Sequence, residues 1–361
     1  MKEKYWLADM AGQIGSHHIL RLLEKYQTAE AVYGLTKEEL LREAFLTEKM
    51  AEQMLAARNE EKLQAAVEDM DKKEVRLITI GEPEYPKRLA ALPDRPYALF
   101  VRGSLPPEES VTVGIVGARQ CSEYGREAAR RLGEVLAGEG ISIISGMARG
   151  IDSAGHFGAL RAGADTYAVL GCGVDVCYPP GNRLLYERIA EHGGILSEYP
   201  LGTDPLAWHF PVRNRIISGL CDVLVVVEAK EKSGSLITAD AALEQGKEIY
   251  AVPGRMGDVQ SKGCNRLIRQ GAGIILSPED FLKDLGIIKS KKRFPQKFSK
   301  NSLEKAEALL YSVLDLQEKN INEIIEATGF ETTECIRLLS ALEDKGYIRE
   351  TFQNYYIRTL K

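Results

Sequence analysis

Over residues 1–75 the apolar positions recur at helical spacing. Leu20, Leu22 and Leu23 are followed by Leu40, Leu41, Met50, Met54, Leu55, Leu63, Val67 and Met70, a pattern that predicts a set of small amphipathic helices. From about residue 76 the pattern changes to short apolar runs. Val75-Arg-Leu-Ile-Thr-Ile80, Tyr97–Val101, Thr112–Val116, Ile141–Ile144, Thr166–Leu170, Val223–Val227 and Glu248–Val252 read as strands. Helical segments lie between them, among them Arg126–Gly138 with Ala128, Ala129, Leu132, Val135 and Leu136 on one face. Alternation of this kind predicts an α/β fold: an extended Rossmann-like, doubly wound parallel sheet. The last stretch predicts helices at Leu303–Leu316, Ile321–Thr328 and Thr332–Lys345, then a hairpin through Tyr347-Ile-Arg349 and Asn354–Arg358. Three helices and a two-stranded wing make a winged helix.

Charge adds one boundary. Lys289–Lys300 holds six basic residues, no acidic residue and one proline, the composition of an exposed linker. The expected organisation is an N-terminal helical domain over 1–75, a Rossmann-like domain over 76–288, a basic linker over 289–302 and a winged helix over 303–361. Within the first, Ala11-Gly-Gln-Ile-Gly-Ser16 reads either as a phosphate-binding corner of the SAM or helix-hairpin-helix kind or as a plain Gly-rich turn.

Composition excludes little further. The 361 residues carry 47 Lys plus Arg against 52 Asp plus Glu, a net charge of −5, so a globally basic nucleic-acid coat is excluded while local basic sites are not. The six cysteines form no C-x-x-C pair and complete no zinc spacing; free thiols, no metal and no cofactor are expected. The N-terminus lacks a signal-peptide core, and the longest apolar runs fall far short of the ~20 residues that span a bilayer. A soluble cytoplasmic protein without membrane association is expected. The five histidines are scattered and build no triad, so no catalytic residue is expected.

The chemistry concentrates in loops that leave the strands at their carboxyl ends, where an open parallel sheet binds ligands. Gly117-Ala-Arg119-Gln-Cys-Ser122 enters a helix. Ser145-Gly-Met-Ala-Arg149-Gly-Ile-Asp152 follows another strand. Gly171–Asn182 and Lys232-Ser233-Gly234-Ser235-Leu-Ile-Thr238 complete the set. Glycine lets backbone approach an anion and helix N-termini supply N–H donors, so four such loops predict an anion-binding groove. A fifth segment, Trp208-His-Phe210-Pro-Val-Arg213-Asn214-Arg215, interleaves an aromatic with arginines, as single-strand sites do. Arg213 and Arg215 alternate, so one is expected to face the groove and the other to be structural. Phe210 is either a stacking face or a core aromatic.

Together these segments resemble the DNA-processing protein family DprA, also called Smf. The resemblance rests on Val116–Gly125, Ser145–Asp152, Tyr178-Pro-Pro-Gly-Asn182, Phe210–Leu220, Ser233–Thr238 and Val252-Pro-Gly254, in this order. It implies a non-enzymatic, dimeric protein that binds single-stranded DNA without sequence preference, protects incoming DNA and loads the RecA recombinase during natural transformation. Contacts are then expected at Arg119, Phe210, Arg213 and Ser233-Gly234-Ser235, with Ser122, Arg149, Asn214, Arg215 and Lys232 around them. The dimer seam is expected at Asn265, Leu267, Ile268, Ile274 and Ile275. A competing class is a phosphoribohydrolase-like nucleotide enzyme on the same fold, with Asp240 near the position of its catalytic acid.

Overall fold

The computed structural model describes residues 1–287, 305–315 and 318–359; the basic linker expected over 289–302 lies outside them. Six helices open the chain: α1 (Lys2–Ile14), α2 (Ser16–Tyr26), α3 (Ala29–Tyr33), α4 (Lys37–Leu41), α5 (Glu48–Ala56) and α6 (Glu60–Lys72). Their starts follow from single residues. Thr28, Thr36, Thr47 and Asn59 each accept a backbone N–H of the helix they precede, which satisfies donors that have no partner within the helix.

A sheet of nine strands follows. β1 (Val75–Thr79) and β2 (Ala98–Gly103) flank the short helix α7 (Lys87–Ala90). β3 (Thr112–Val116), α8 (Glu123–Gly138), β4 (Ser142–Ser145), α9 (Ile151–Arg161), β5 (Thr166–Val169), α10 (Arg183–Glu191) and β6 (Gly193–Ser197) come next. Then α11 (His209–Leu220), β7 (Val223–Val226), α12 (Gly234–Glu244), β8 (Glu248–Ala251), α13 (Lys262–Arg269), β9 (Gly273–Ile274) and α14 (Pro278–Asp284) close the unit. The strand order is β1-β2-β6-β5-β4-β3-β7-β8-β9. Pairing is antiparallel at β1–β2 and β2–β6 and parallel from β6 to β9. The chain therefore runs outward from β3 to β6, then returns to place β7 on the other side of β3. That reversal opens a crevice at the carboxyl ends of β3 and β7.

Alternate residues of each central strand serve opposite faces. Val113, Ile115, Ile143, Val223 and Val225 pack with α8, α9 and α14. Val116, Ile144, Leu224 and Val226 pack with α11, α12 and α13. The N-terminal helices do not form a separate core. Trp6, Leu7, Met10, Ile19 and Met54 belong to one continuous cluster with Phe100 of β2, Ala168 of β5, Tyr186 of α10 and Ile195 of β6. The Gly-rich corner at 11–16 lies in this contact: Tyr97 N–H donates to Ser16 Oγ (3.2 Å), and Gly12 faces Tyr199 and Pro200. The corner packs against the sheet unit, which corrects its reading as an open phosphate site.

The C-terminal segment has its own small core of Leu310, Leu314, Ile324, Cys335, Leu338, Leu342 and Ile348. It consists of α15 (Lys305–Val313), β10 (Lys319–Asn320), α16 (Ile321–Thr328), α17 (Thr332–Asp344), β11 (Ile348–Phe352) and β12 (Tyr355–Arg358), with strand order β10-β12-β11. No helix among the described residues is long and apolar enough to cross a membrane.

Trp6 tests the shared core. It is fully buried, its indole N–H donates to Met54 O (3.2 Å), and the Tyr33 ring meets it edge-on at 5.1 Å. Trp6→Ala is expected to cost about 3–5 kcal/mol and to lower the melting temperature of the sheet together with that of the helices. Separate melting of the helices with the sheet unmoved would contradict a shared core.

Candidate functional site

The crevice between β3 and β7 widens into a cleft of about 710 Å³. The loops after β3, β4, β5 and β7 and the first turns of α11 and α12 wall it.

Its floor is built around Arg213 on α11. The side chain is 4% exposed. Its Nη1 donates to Gly146 O (3.0 Å) and to Val169 O, and its Nε to Asn214 Oδ1 (3.3 Å). One guanidinium thus ties the ends of β4 and β5 to α11. Residue 146 must be glycine for this, because a Cβ there would stand 2.7 Å from the guanidinium. Asp152 in the first turn of α9 is the one carboxylate lining the cleft among the described residues; Gly146 N–H donates to its Oδ2 (3.2 Å). Burial pushes Asp152 up, opposed by the nearby Arg213 charge and by the backbone N–H groups of Ala148 and Gly146. Burial likewise lowers Arg213 to about 10, with Asp152 opposing. One turn below, His156 is fully buried, its Nδ1 is 2.7 Å from Thr166 Oγ1, and burial pushes it down to about 3. Asn182 donates from Nδ2 to Met147 O (2.8 Å) and Ser153 Oγ (2.9 Å). With Gly146 and Met147 so fixed, Arg149 projects from the loop tip.

Phe210 and Tyr178 form one wall. The rings are 5.5 Å apart and tilted by 32°. The guanidinium groups of Arg119 and Arg213 lie 5.3 and 5.8 Å from the Phe210 centroid, within reach of its π face. Phe210 is half-buried and lines the cleft, so the core alternative for this residue falls. On the other wall Ser233 caps α12, accepting Ser235 N–H (3.4 Å), and Asn214 Nδ2 donates to Gly234 O (3.4 Å). Arg119, Arg149, Lys230 and Lys232 stand exposed around the rim, and none has an ion-pair partner among the described residues.

Of the expected contact residues, Arg119, Arg149, Phe210, Arg213, Asn214, Lys232, Ser233, Gly234 and Ser235 line this cleft. Two do not. Ser122 donates its N–H (2.9 Å) and hydroxyl (2.5 Å) to Glu228, while its Oγ accepts Gly125 N–H (3.0 Å). Glu228 is 2% exposed. An internal carboxylate thus occupies the N-terminus of α8, taking the Ser122 N–H and hydroxyl that would otherwise face an anion beside Arg119. Arg215 pairs with Glu198 (2.6 Å) and Asp94 (3.5 Å) on the far side of α11. The segment is helical, so residues two apart diverge by about 200°; Arg213 faces the floor and Arg215 faces away.

The sequence places Asp152 and Tyr178 in groove loops without marking them as contacts, and it passes over Lys230 and Gln260, which also line the cleft. The helical period 210, 214, 217 would have turned Phe210, Asn214 and Ile217 toward one face. Asp240, the acid of the enzyme alternative, is exposed on α12 outside the cleft. Among the described residues no cluster of three or more His, Cys, Asp or Glu is placed to hold a metal.

The residues expected at a dimer seam divide. Leu267 and Ile275 are buried in the core, Ile268 is partly buried against it, and Asn265 is engaged with Gly254, accepting its N–H (3.2 Å) and donating to its carbonyl (3.0 Å). Ile274 is 45% exposed and Leu276 78%. Adjacent positions on an extended segment point to opposite sides, so Ile275 faces inward and its neighbours outward.

Comparison with known proteins gives a consistent result. The family model described as DNA recombination-mediator protein A matches residues 76–286. Protein Smf of Synechocystis sp. is 37% identical over 292 residues, 80% of this chain and 73% of that protein. The X-ray structure of DNA processing protein A from Streptococcus pneumoniae superposes with a TM-score of 0.69 at 34% identity, covering 78% of this chain and 96% of that one. DNA processing protein A from Helicobacter pylori, solved for its single-stranded DNA binding mode, gives 0.52 at 31% identity, covering 58% and 95%.

The floor and the rim are expected to respond differently to truncation. Arg213→Ala leaves Asp152 without its opposing charge and two carbonyls without a donor. It should cost about 3 kcal/mol or more. Arg119→Ala, at an exposed position, should stay within about 0.5 kcal/mol. Equal melting temperatures for the two variants would contradict the buried role of Arg213.

Proposed function

The chain belongs to the DNA recombination-mediator protein A family, and from that premise we propose that it binds single-stranded DNA, without sequence preference, in the cleft between β3 and β7. The observation that carries this reading is the set of four cations, Arg119, Arg149, Lys230 and Lys232, unpaired among the described residues, around the Phe210–Tyr178 wall. Cations track a phosphate backbone whatever its sequence, and an aromatic face accepts any unstacked base. No catalytic role is assigned to the cleft. In this reading the protein protects incoming DNA and loads the RecA recombinase during natural transformation, acting in the cytoplasm as a homodimer. The helices before residue 75 brace the sheet, and the basic stretch 289–302 tethers the winged helix of 303–361. With seven basic against eleven acidic residues in 303–361, that module is expected to contribute little to phosphate binding.

Titrating single- and double-stranded oligonucleotides over a range of salt tests the proposal; tighter duplex binding would overturn it. Arg119→Ala should weaken binding equally for all sequences and lower the salt slope by about one phosphate contact. Phe210→Ala should lose ~1–3 kcal/mol of single-strand affinity. A chain ending at 288 should keep most of that affinity.

The dimer is proposed to meet through Ile274 and Leu276 beside β9, where apolar side chains reach solvent. Ile274→Glu should give a folded monomer by light scattering, because an isologous seam receives the change from both sides. Ile275→Glu should instead lower the melting temperature, since it places a charge in the core. A folded dimer carrying Ile274→Glu would remove this surface.

A further inference from the structure

β1 ends the large sheet on one side, with β2 as its neighbour on the other. It lies five strand spacings from β3, about 24 Å, so this edge is separate from the cleft. Backbone groups along an antiparallel strand point alternately toward the neighbour and away from it. Ile80 sets the phase, because its N–H donates to Tyr97 O (2.9 Å). With the register Ile78↔Leu99 and Arg76↔Val101, residues 76, 78 and 80 serve the ladder to β2. Residues 75, 77 and 79 turn their N–H and C=O groups to the open side. At Thr79 the chain closes these groups itself: Thr79 N–H donates to Glu82 Oε2 (3.0 Å), and Glu82 N–H donates to Thr79 O (3.1 Å). The outward groups of Val75 and Leu77 have no hydrogen-bond partner among the described residues. Yet Val75 is 3% exposed and Leu77 6%, and buried backbone groups are almost always paired.

The surroundings of this gap have a definite chemistry. The Val75 and Leu77 side chains pack with Val67 and Met70 of α6, and beside them lies a groove of about 400 Å³. Val67, Met70 and Pro83 give it apolar walls, while Asp71, Glu82 and Glu84 stand against a single basic side chain, Arg76. Arg76 pairs with Glu84, and Lys4 with Glu82. Asp71 has no ion-pair partner among the described residues. We propose that this edge takes an extended segment of a partner protein as an added strand, with two apolar residues one position apart flanked by lysine or arginine. Strand addition to a free sheet edge is a general mode of peptide recognition. Antiparallel pairing suits so short a window, because each opposed residue pair exchanges both of its bonds. Peptide residues opposite Val75 and Leu77 share their face of the sheet and meet Val67 and Met70, which calls for apolar side chains. The residue between them lies opposite Arg76 and is best uncharged, since like charges across a ladder repel. The acidic excess of the groove, with Asp71 open to a new partner, calls for basic flanks. Glu82 stops the added strand at Thr79.

The probe is a fluorescein-labelled heptapeptide, Lys-Lys-Val-Thr-Val-Lys-Lys, read by anisotropy against the full chain at one salt concentration. Saturable binding is expected. Methylating the two valine nitrogens removes the donors aimed at Val75 and Leu77 and keeps the charge, so affinity should fall by about tenfold or more. Asp71→Lys should weaken the unmethylated peptide several-fold and leave DNA binding unmoved. In the chain without peptide, the Val75 and Leu77 amides should exchange with solvent faster than those of Arg76 and Ile78. Absence of saturable binding, equal binding of the two peptides, or uniform exchange along β1 overturns the edge site. A lower solution mass for Asp71→Lys than for the parent chain assigns the edge to a second copy of this chain and overturns the peptide. None of these results bears on the single-strand reading, which oligonucleotide titration tests at the cleft.

Discussion

The buried guanidinium of Arg213 fixes the cleft. Two strand ends, β4 and β5, deliver their last carbonyls to one point, and α11 supplies the donor that satisfies them. A buried carbonyl without a donor is costly, so these loops cannot move apart without losing that bond. Asp152 offsets the charge and anchors the same loop from the other side. The residues that face outward inherit their positions from this knot: Arg149 from the loop tip, Phe210 one turn earlier on α11 and Asn214 next along it. The arrangement is rigid where it is buried and free where it is charged, which suits a surface that holds a chain of varying sequence.

The second constraint is the filling of the α8 N-terminus by Glu228. In α/β sheets of this type the first helix N-terminus after the central strand commonly receives a ligand phosphate. Here the carboxylate of Glu228 takes the Ser122 N–H and hydroxyl. Gly125 is required beside it, since a Cβ there would stand 2.3 Å from the carboxyl carbon. An internal anion in that place disfavours a second anion there, and the proposed reading puts phosphates at the rim cations instead. The position at which such sheets commonly hold a phosphate is therefore occupied here from within the protein.

The parallel strands were legible because runs such as Thr112–Val116 and Val223–Val226 are buried on both faces and have no polar alternation to confuse them. β6 was not, because Gly193-Gly194 opens it and carries no side-chain pattern. The loops were legible as anion sites from glycine and cation content. Which of their residues reach the cleft was not, because that depends on the phase of α11 and on Glu228, a residue contributed from across the sheet. The seam near β9 shows the same limit at its smallest scale. Ile274 and Ile275 are equivalent in composition, and only the backbone direction decides which of them meets solvent. The helices of 1–75 were legible as helices, but their patterns could not reveal that Trp6 and Phe100 share one core.

A chain of net charge −5 can still present a site for a polyanion because the field at a surface is local. Salt at physiological strength screens exposed charges beyond about 8 Å, so the acidic residues of distant elements contribute little at the cleft. What counts is that four rim cations have no acidic partner among the described residues, whereas Arg130, Arg215 and Lys73 are held in ion pairs elsewhere. The distinction is one of pairing rather than number. A paired arginine would have to exchange a carboxylate for a phosphate, with little net gain. A free one releases only counterions and water, and that release is the source of affinity. The unpaired state of Arg119, Arg149, Lys230 and Lys232 is thus the property of the rim that would favour a phosphate chain, while the floor beneath them, held by Arg213, keeps the loops that carry these cations in place.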